Sequence, residues 1–156
     1  MITQRESEQL SERRSTLEIT VVFTKVPATL QALKMAAELA HNLNGHIRLL
    51  VPQVVPYPLP LEKPAVPAEF HGKRLLTLAS RGSIDTRVEL CLCRDRYDAL
   101  CQALEPEALV VMGMRSSWWP TAEKALVRKL RRKGHNVILV DSRRPKGERA
   151  LSQAIP

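Results

Sequence analysis

Aromatic side chains make up only 4% of this 156-residue chain against 44% hydrophobic residues overall, so its core must be aliphatic. No apolar run approaches the roughly 20 residues that cross a bilayer, which removes membrane-spanning classes from consideration. The N-terminal "MITQRESEQLSERRST" has no apolar stretch of the kind a secretory signal needs, and glutamates at 6, 8, 12 and 18 argue against an organelle transit peptide. A cytoplasmic protein is the expectation. The three cysteines, Cys91, Cys93 and Cys101, form no repeated CxxC spacing, and the four histidines supply no matching ligand pattern. Neither a disulfide framework nor a metal centre is expected. Cys91 and Cys93, two apart in an apolar run, read as inert thiols on one face of a strand. There is no GxSxG, no HExxH and no spacing that points to a Ser/His/Asp arrangement, so no catalytic residue is assigned and an enzyme is not expected.

Charge is present but uneven. The net charge is +8, yet residues 121–149 alone hold ten Lys or Arg against three acids, while the first 120 residues are nearly balanced. Basic character belongs to the C-terminal part. The length suits one domain with a sizeable core. Residues 1–16 read as a polar disordered lead, 17–141 as the folded domain and 142–156 as a basic flexible tail.

Along the domain, strands and helices alternate. "LEITVVFT" (Leu17 to Thr24) is β-branched and apolar, as in a strand covered on both faces. Leu30, Leu33, Ala37 and Ala40 then recur at helical spacing, with Pro27 just before the helix and Asn44-Gly45 as its stop. "HIRLLVPQVV" is a second strand whose pairing Pro52 should end. Six prolines between Pro52 and Pro67 make a stiff connection to a helix at about 68–80. "TRVELCLC", "DRYDALCQALEP", "ALVVMG", "TAEKALVRKLRRKG" and "NVILVD" follow as strand, helix, strand, helix, strand. This order predicts an open, doubly wound, five-stranded parallel sheet with helices on both faces. In the last helix Ala122, Leu126 and Leu130 should face the sheet, while Lys124, Arg128, Arg131 and Arg132 form a basic stripe elsewhere. Such a stripe is most simply a solvated face. Nucleic acid is an unlikely partner, because no RNA-binding signature or alternating aromatic-basic pattern accompanies the stripe.

Several segments, in this order, resemble the universal stress protein family from Leu17 to Asp141. "VVFTKVPATLQALKMAAEL" follows the register of the family's first strand and its Ala-rich helix. "RDRYDALCQAL" is similar to its Gly-Asp-Pro helix start, with Asp95 retained. "ALVVMGMRS" resembles its Met-Gly-Ser-Arg-Gly signature, and "TAEKAL" with "NVILVD" its Ala-Glu helix and final strand. The resemblance implies a five-stranded parallel sheet of the adenine-nucleotide alpha-hydrolase-like type and a homodimer. In one subclass it also implies ATP or AMP held by Gly, two residues, Gly, nine residues, then Gly-Ser or Gly-Thr. Glycines there let backbone N–H groups approach phosphate closely at a helix start.

Carried over onto this chain, little of that cradle remains. Gly113 matches the first glycine, but Ser116 stands at the second. The spacer has shrunk to Ser117 and Trp118, and the final Gly-Ser falls on Trp119 and Pro120. The family's nucleotide-contacting acid falls on Thr24 and its following glycine on Lys25. The expectation is therefore no resident cofactor and no robust ATP binding, with ATP or AMP, or a small anion, as the alternative ligand. Candidate nucleotide- or anion-binding residues are Thr24, Lys25, Val51, Met112, Gly113, Arg115, Ser116, Ser117 and Thr121. Thr121 also reads as an N-cap, and Asp95 and Asp98 as helix-start acids. The two tryptophans either cover the sheet end or meet a partner. A homodimer through the final strand, at Val137, Ile138, Leu139 and Val140, is expected because a strand order resembling the family's makes this strand a sheet edge, and it is too apolar to leave unpaired in water. A regulatory, stress-related role through an unidentified protein partner is the functional expectation.

Overall fold

The structure, a computed structural model, describes residues 16–62, 85–115 and 120–142, with residues 4, 5, 8 and 77 besides. Most of the expected lead segment, the helix at about 68–80, the Ser116 to Trp119 loop and nearly all of the basic tail lie outside these residues. Within them the elements are β1 (Glu18–Val22), α1 (Val26–Leu43), β2 (His46–Val54), β3 (Thr86–Cys93), α2 (Arg96–Ala103), β4 (Leu109–Met114), α3 (Ala122–Arg132) and β5 (Asn136–Asp141). The strands pair parallel throughout in the order β3-β2-β1-β4-β5. This is the expected α/β sheet, and β5 is an edge.

Side-chain alternation along the strands divides the core into two layers. Ile19, Val21, Ile47, Leu49, Val51 and Val111 face α1. Val22, Leu50, Val110, Met112 and Val137 face α2 and α3, meeting Leu100, Leu104, Leu126, Val127 and Leu130. The central strands are apolar on both sides because both sides are covered.

Four sequence expectations need correction. Pro27 lies inside the first turn of α1 rather than before it, a position where its missing N–H costs no helical bond. The face α1 buries is Ala28, Ala32, Ala36 and Ala40, with Leu30, Leu33 and Ala37 on its flanks. Ala122 is exposed, and Val127 joins Leu126 and Leu130 against the sheet. Pro52, moreover, does not end the pairing of β2, which continues with β3 through Val54↔Cys93. The reason lies in the parity of the ladder. The N–H of Ile47 and of Val55 point to the β3 side, while Leu50 offers its carbonyl to Phe23 on the β1 side. Even-numbered residues thus face β1, and β1 has ended by Val22. The missing N–H of Pro52 falls where no strand would receive it.

At the amino ends of the strands a charged network joins four elements. Arg48 on β2 donates from Nε and Nη2 to the two carboxylate oxygens of Glu89 on β3, at 2.8 and 2.9 Å. Its Nη1 donates to the carbonyl of Ala103, the last residue of α2, at 2.9 Å and lies 3.5 Å from Glu18 on β1. His46 completes the row, 3.3 Å from Glu18. The fork matches a carboxylate geometrically, and the Nη1 bond satisfies a helix-end carbonyl. The Arg48 side chain is only 12% exposed, so the pair is largely shielded from solvent.

Replacing Arg48 with Ala should cost about 2 kcal/mol in urea unfolding at neutral pH, since it leaves Glu89 and the Ala103 carbonyl short of a partner. Hydrogen bonding to Arg48 holds the Glu89 carboxyl below its ordinary range. A lowered folded pKa contributes stability above the unfolded value and loses it as pH falls through the folded one. The stability gap between the native chain and Glu89→Gln should therefore be full at pH 7 and close below about pH 4. Urea melts at the two pH values read this directly.

Candidate functional site

The strand order reverses between β1 and β4, whose following chains go to opposite faces of the sheet. Open α/β sheets form a crevice at the carboxyl ends of such strands. Here β1 runs through Phe23 and Thr24 into α1, with Lys25 as its N-cap residue. On the other side β4 gives way to Arg115, and the chain re-enters the described residues at Pro120 before α3. Between them lies a cleft of about 750 Å³ lined by Thr24, Lys25, Pro27, Ala28, Gly113, Met114, Arg115, Thr121, Glu123 and Ser142.

The chemistry of the lining groups is largely committed to the fold. The Thr24 hydroxyl donates to the Gly113 carbonyl at 2.8 Å, joining the ends of β1 and β4. The Thr24 N–H in turn donates to the hydroxyl of Thr29, which is fully buried. Thr121 caps α3 by accepting from the Lys124 N–H at 3.3 Å, as expected for its sequence position. Gly113 is a glycine for a packing reason. A Cβ there would overlap the backbone carbonyl of Ala28, so α1 rests directly on β4 at this point. The remaining polar groups are different. Lys25 and Arg115 are exposed cations on opposite walls, with Glu123 the acid between α3 and the cleft. The first turn of α1 has no side-chain cap and no acidic residue, which leaves its positive dipole end uncompensated.

Five of the expected site residues, Thr24, Lys25, Gly113, Arg115 and Thr121, therefore share the cleft. Val51 and Met112 do not line it. Both are core residues, Val51 on the α1 side of the sheet and Met112 on the other, because their strand positions point them into the layers. Ser116 and Ser117 lie outside the described residues, as do Trp118 and Trp119. Sequence reasoning missed Pro27, Ala28, Met114, Glu123 and Ser142 as lining groups. The four-residue alanine spacing of α1 was the available signal for Ala28. Nothing local announced Ser142, which arrives through its N–H bond to the Met114 carbonyl.

Other candidates place as follows. Burial raises the thiol pKa values of Cys91 and Cys93 above the ordinary range, which disfavours thiolate chemistry. Asp95 caps α2 by accepting from the Asp98 N–H at 3.0 Å. No cluster of three His, Cys, Asp or Glu side chains suited to a metal occurs among the described residues. Nor is any described helix long and apolar enough to cross a membrane. On β5, Val137 is a core residue and not an exposed interface group. Ile138 and Val140 pack towards the α1 layer, and Leu139 is 37% exposed on the α3 side.

Solved structures with this arrangement include universal stress proteins. A universal stress protein from Archaeoglobus fulgidus superposes with a TM-score of 0.63 at 16% identity, covering 85% of this chain and 99% of that one. This chain has the universal stress protein fold. A universal-stress-protein-family structure from Burkholderia pseudomallei gives a TM-score of 0.58 at 22% identity over 79% of this chain and 94% of that one. The Archaeoglobus fulgidus universal stress protein in complex with dAMP gives 0.57 at 15% identity, over 81% of this chain and 98% of that one. No protein-family model and no curated protein matches the sequence. Within this fold the cleft lies at the strand-order reversal, and the Ala28–Gly113 contact forms its floor.

Gly113→Ala should cost about 3 kcal/mol or displace α1, because the overlap is with backbone and no side chain can move aside. Thr24→Val should cost about 1 kcal/mol, the value of one lost hydrogen bond to a partly buried carbonyl. Urea or thermal melts of the two variants should preserve that order.

Proposed function

We propose that this chain is a regulatory protein of the universal-stress-protein type, not an enzyme, with no resident cofactor and no robust hold on ATP. It acts in stress-related regulation through contacts with other proteins, as a homodimer. The observation that carries this reading is the state of the cleft floor. Thr24 and Gly113 are bonded to each other, Gly113 is packed under Ala28, and Thr121 is occupied as a cap. A triphosphate needs several backbone N–H groups converging on it, and these residues supply few. The free cysteines with raised thiol pKa values suit a reducing, cytoplasmic setting.

The homodimer reading rests on β5. It pairs with β4 alone among the described residues, and its run of Val, Ile and Leu is a poor surface to leave beside water. A second reading has its own support. Lys25 and Arg115 both line the cleft, as does the residue at the uncapped start of α1, Pro27. That arrangement favours a small anion or a monophosphate over ATP, and the fold of the dAMP-bound Archaeoglobus fulgidus protein is the same one.

Thermal melting with ATP and magnesium, AMP and inorganic phosphate tests the choice. ATP at millimolar concentration should leave the midpoint unchanged within error. A ligand at 100 times its Kd adds about 2.7 kcal/mol, so a shift of several degrees with ATP overturns the first reading. A shift with AMP or phosphate alone establishes the second. Light scattering at tens of micromolar should give twice the 17.6 kDa chain mass, and a monomer would remove the homodimer.

A further inference from the structure

A second depression lies away from the cleft, between α3 and β5. Pro120, Val127 and Leu139 give it an apolar floor, and Lys124, Arg128 and Arg131 stand around it, in a volume of about 380 Å³. Among the described residues no acidic side chain lines it. Arg131 is held in place by donating to the Val137 carbonyl at 2.8 Å. Arg128 is exposed and forms no salt bridge among the described residues. Lys129, one residue further along, turns instead over the Tyr97 ring of α2, so the cations of this helix divide between two directions.

We propose that this groove is a docking site for an acidic protein segment, which places one aliphatic side chain on Val127 and Leu139 and flanking carboxylates on Arg128, Arg131 and Lys124. The argument is charge complementarity over an apolar floor. Burial of Leu139 supplies non-directional binding energy, and the guanidinium groups supply forked partners for carboxylates. A second copy of the chain is the wrong occupant, because it brings the same cations. The chain's own remaining segments are wrong as well. Residues 1–15 balance three acids with three bases, whereas 63–84 and 143–156 each carry a net +3. Single-stranded nucleic acid is disfavoured by the floor, which is aliphatic and offers no aromatic ring for base stacking among the described residues. Homodimer pairing would use the β5 edge with Ile138 and Val140 towards the α1 side, and Leu139 points to the other side.

The proposal deepens the reading of a protein that works through protein contacts, and its test is separate from the nucleotide test. The probe is a fluorescein-labelled peptide with one central leucine among glutamates, followed by anisotropy at physiological salt. A matched peptide carries serine in place of leucine. The native chain should bind the leucine peptide about tenfold more tightly than the serine peptide. Arg128→Glu should weaken binding about tenfold, and Leu139→Ser should abolish the preference for leucine. Arg132→Glu makes the same charge change on the same helix outside the groove, and should alter binding by about twofold or less. Circular dichroism melts confirm that each variant is folded. Equal effects of Arg128→Glu and Arg132→Glu would overturn the proposal in favour of diffuse charge. So would tighter binding of a single-stranded oligonucleotide of equal charge, or no peptide binding at all. If ATP leaves the melting midpoint unmoved while the peptide also fails, the groove is lost and the wider reading stands.

Discussion

The contact between the Ala28 carbonyl and Gly113 sets the spacing on which the site depends. Only glycine on β4 lets the first turn of α1 come down onto the sheet, and only a small face on α1 can follow it. Ala28, Ala32, Ala36 and Ala40 are that face, fully or nearly fully buried at intervals of four. With the helix so close, the start of α1 and the end of β4 become two walls of one cleft, and the Thr24 hydroxyl reaches the Gly113 carbonyl. A glycine that could have admitted phosphate to its backbone admits a helix instead. The same residue type serves both purposes because both require a missing Cβ. The neighbours decide which purpose is realised.

That substitution explains why the fold was more legible than the site. β3 and β5 match the sequence reading to the residue, because short runs rich in apolar residues and bounded by turn and cap residues leave little freedom. Thr121 was recognisable as a cap, and Asp95 as a helix-start acid, because the interactions at a helix start are local, spanning three residues. The buried face of α1 was less legible, since leucine outranks alanine in any hydrophobicity count. How near a helix approaches its sheet is a tertiary quantity. Pro52 was misjudged for a related reason. A proline removes a donor, but whether the donor is missed depends on which neighbour its N–H faces and where that neighbour stops. Among the site residues, Val51 and Met112 had the right position along the strand and the wrong side chain direction. The strand alternation fixes that direction only once the layers are known. Arg48 escaped notice altogether, because an arginine in an apolar strand becomes intelligible only when Glu18, Glu89 and Ala103 are brought to it.

The sheet uses charge differently at each of its boundaries. At the amino ends, Arg48 is shielded and saturated by two carboxylates and a helix-end carbonyl, so its charge is spent on joining β1, β2, β3 and α2. At the carboxyl ends, Lys25 and Arg115 are exposed and uncommitted to the fold. At the β5 edge the arrangement is intermediate. Parity places the Val137 carbonyl on the outer side, since the Asn136 and Ser142 N–H groups point to β4, and Arg131 occupies that carbonyl. An edge strand is a template for any passing strand, and a guanidinium seated on its first outward carbonyl narrows what can pair there. The free edge then begins near Leu139. It is therefore at Leu139 that exposed apolar surface on the α3 side and positive charge meet, the combination that the proposed acidic segment fits. Part of the basic character of the C-terminal region acquires a physical sense in this way: Lys124, Arg128 and Arg131 border the α3 side of the β5 edge.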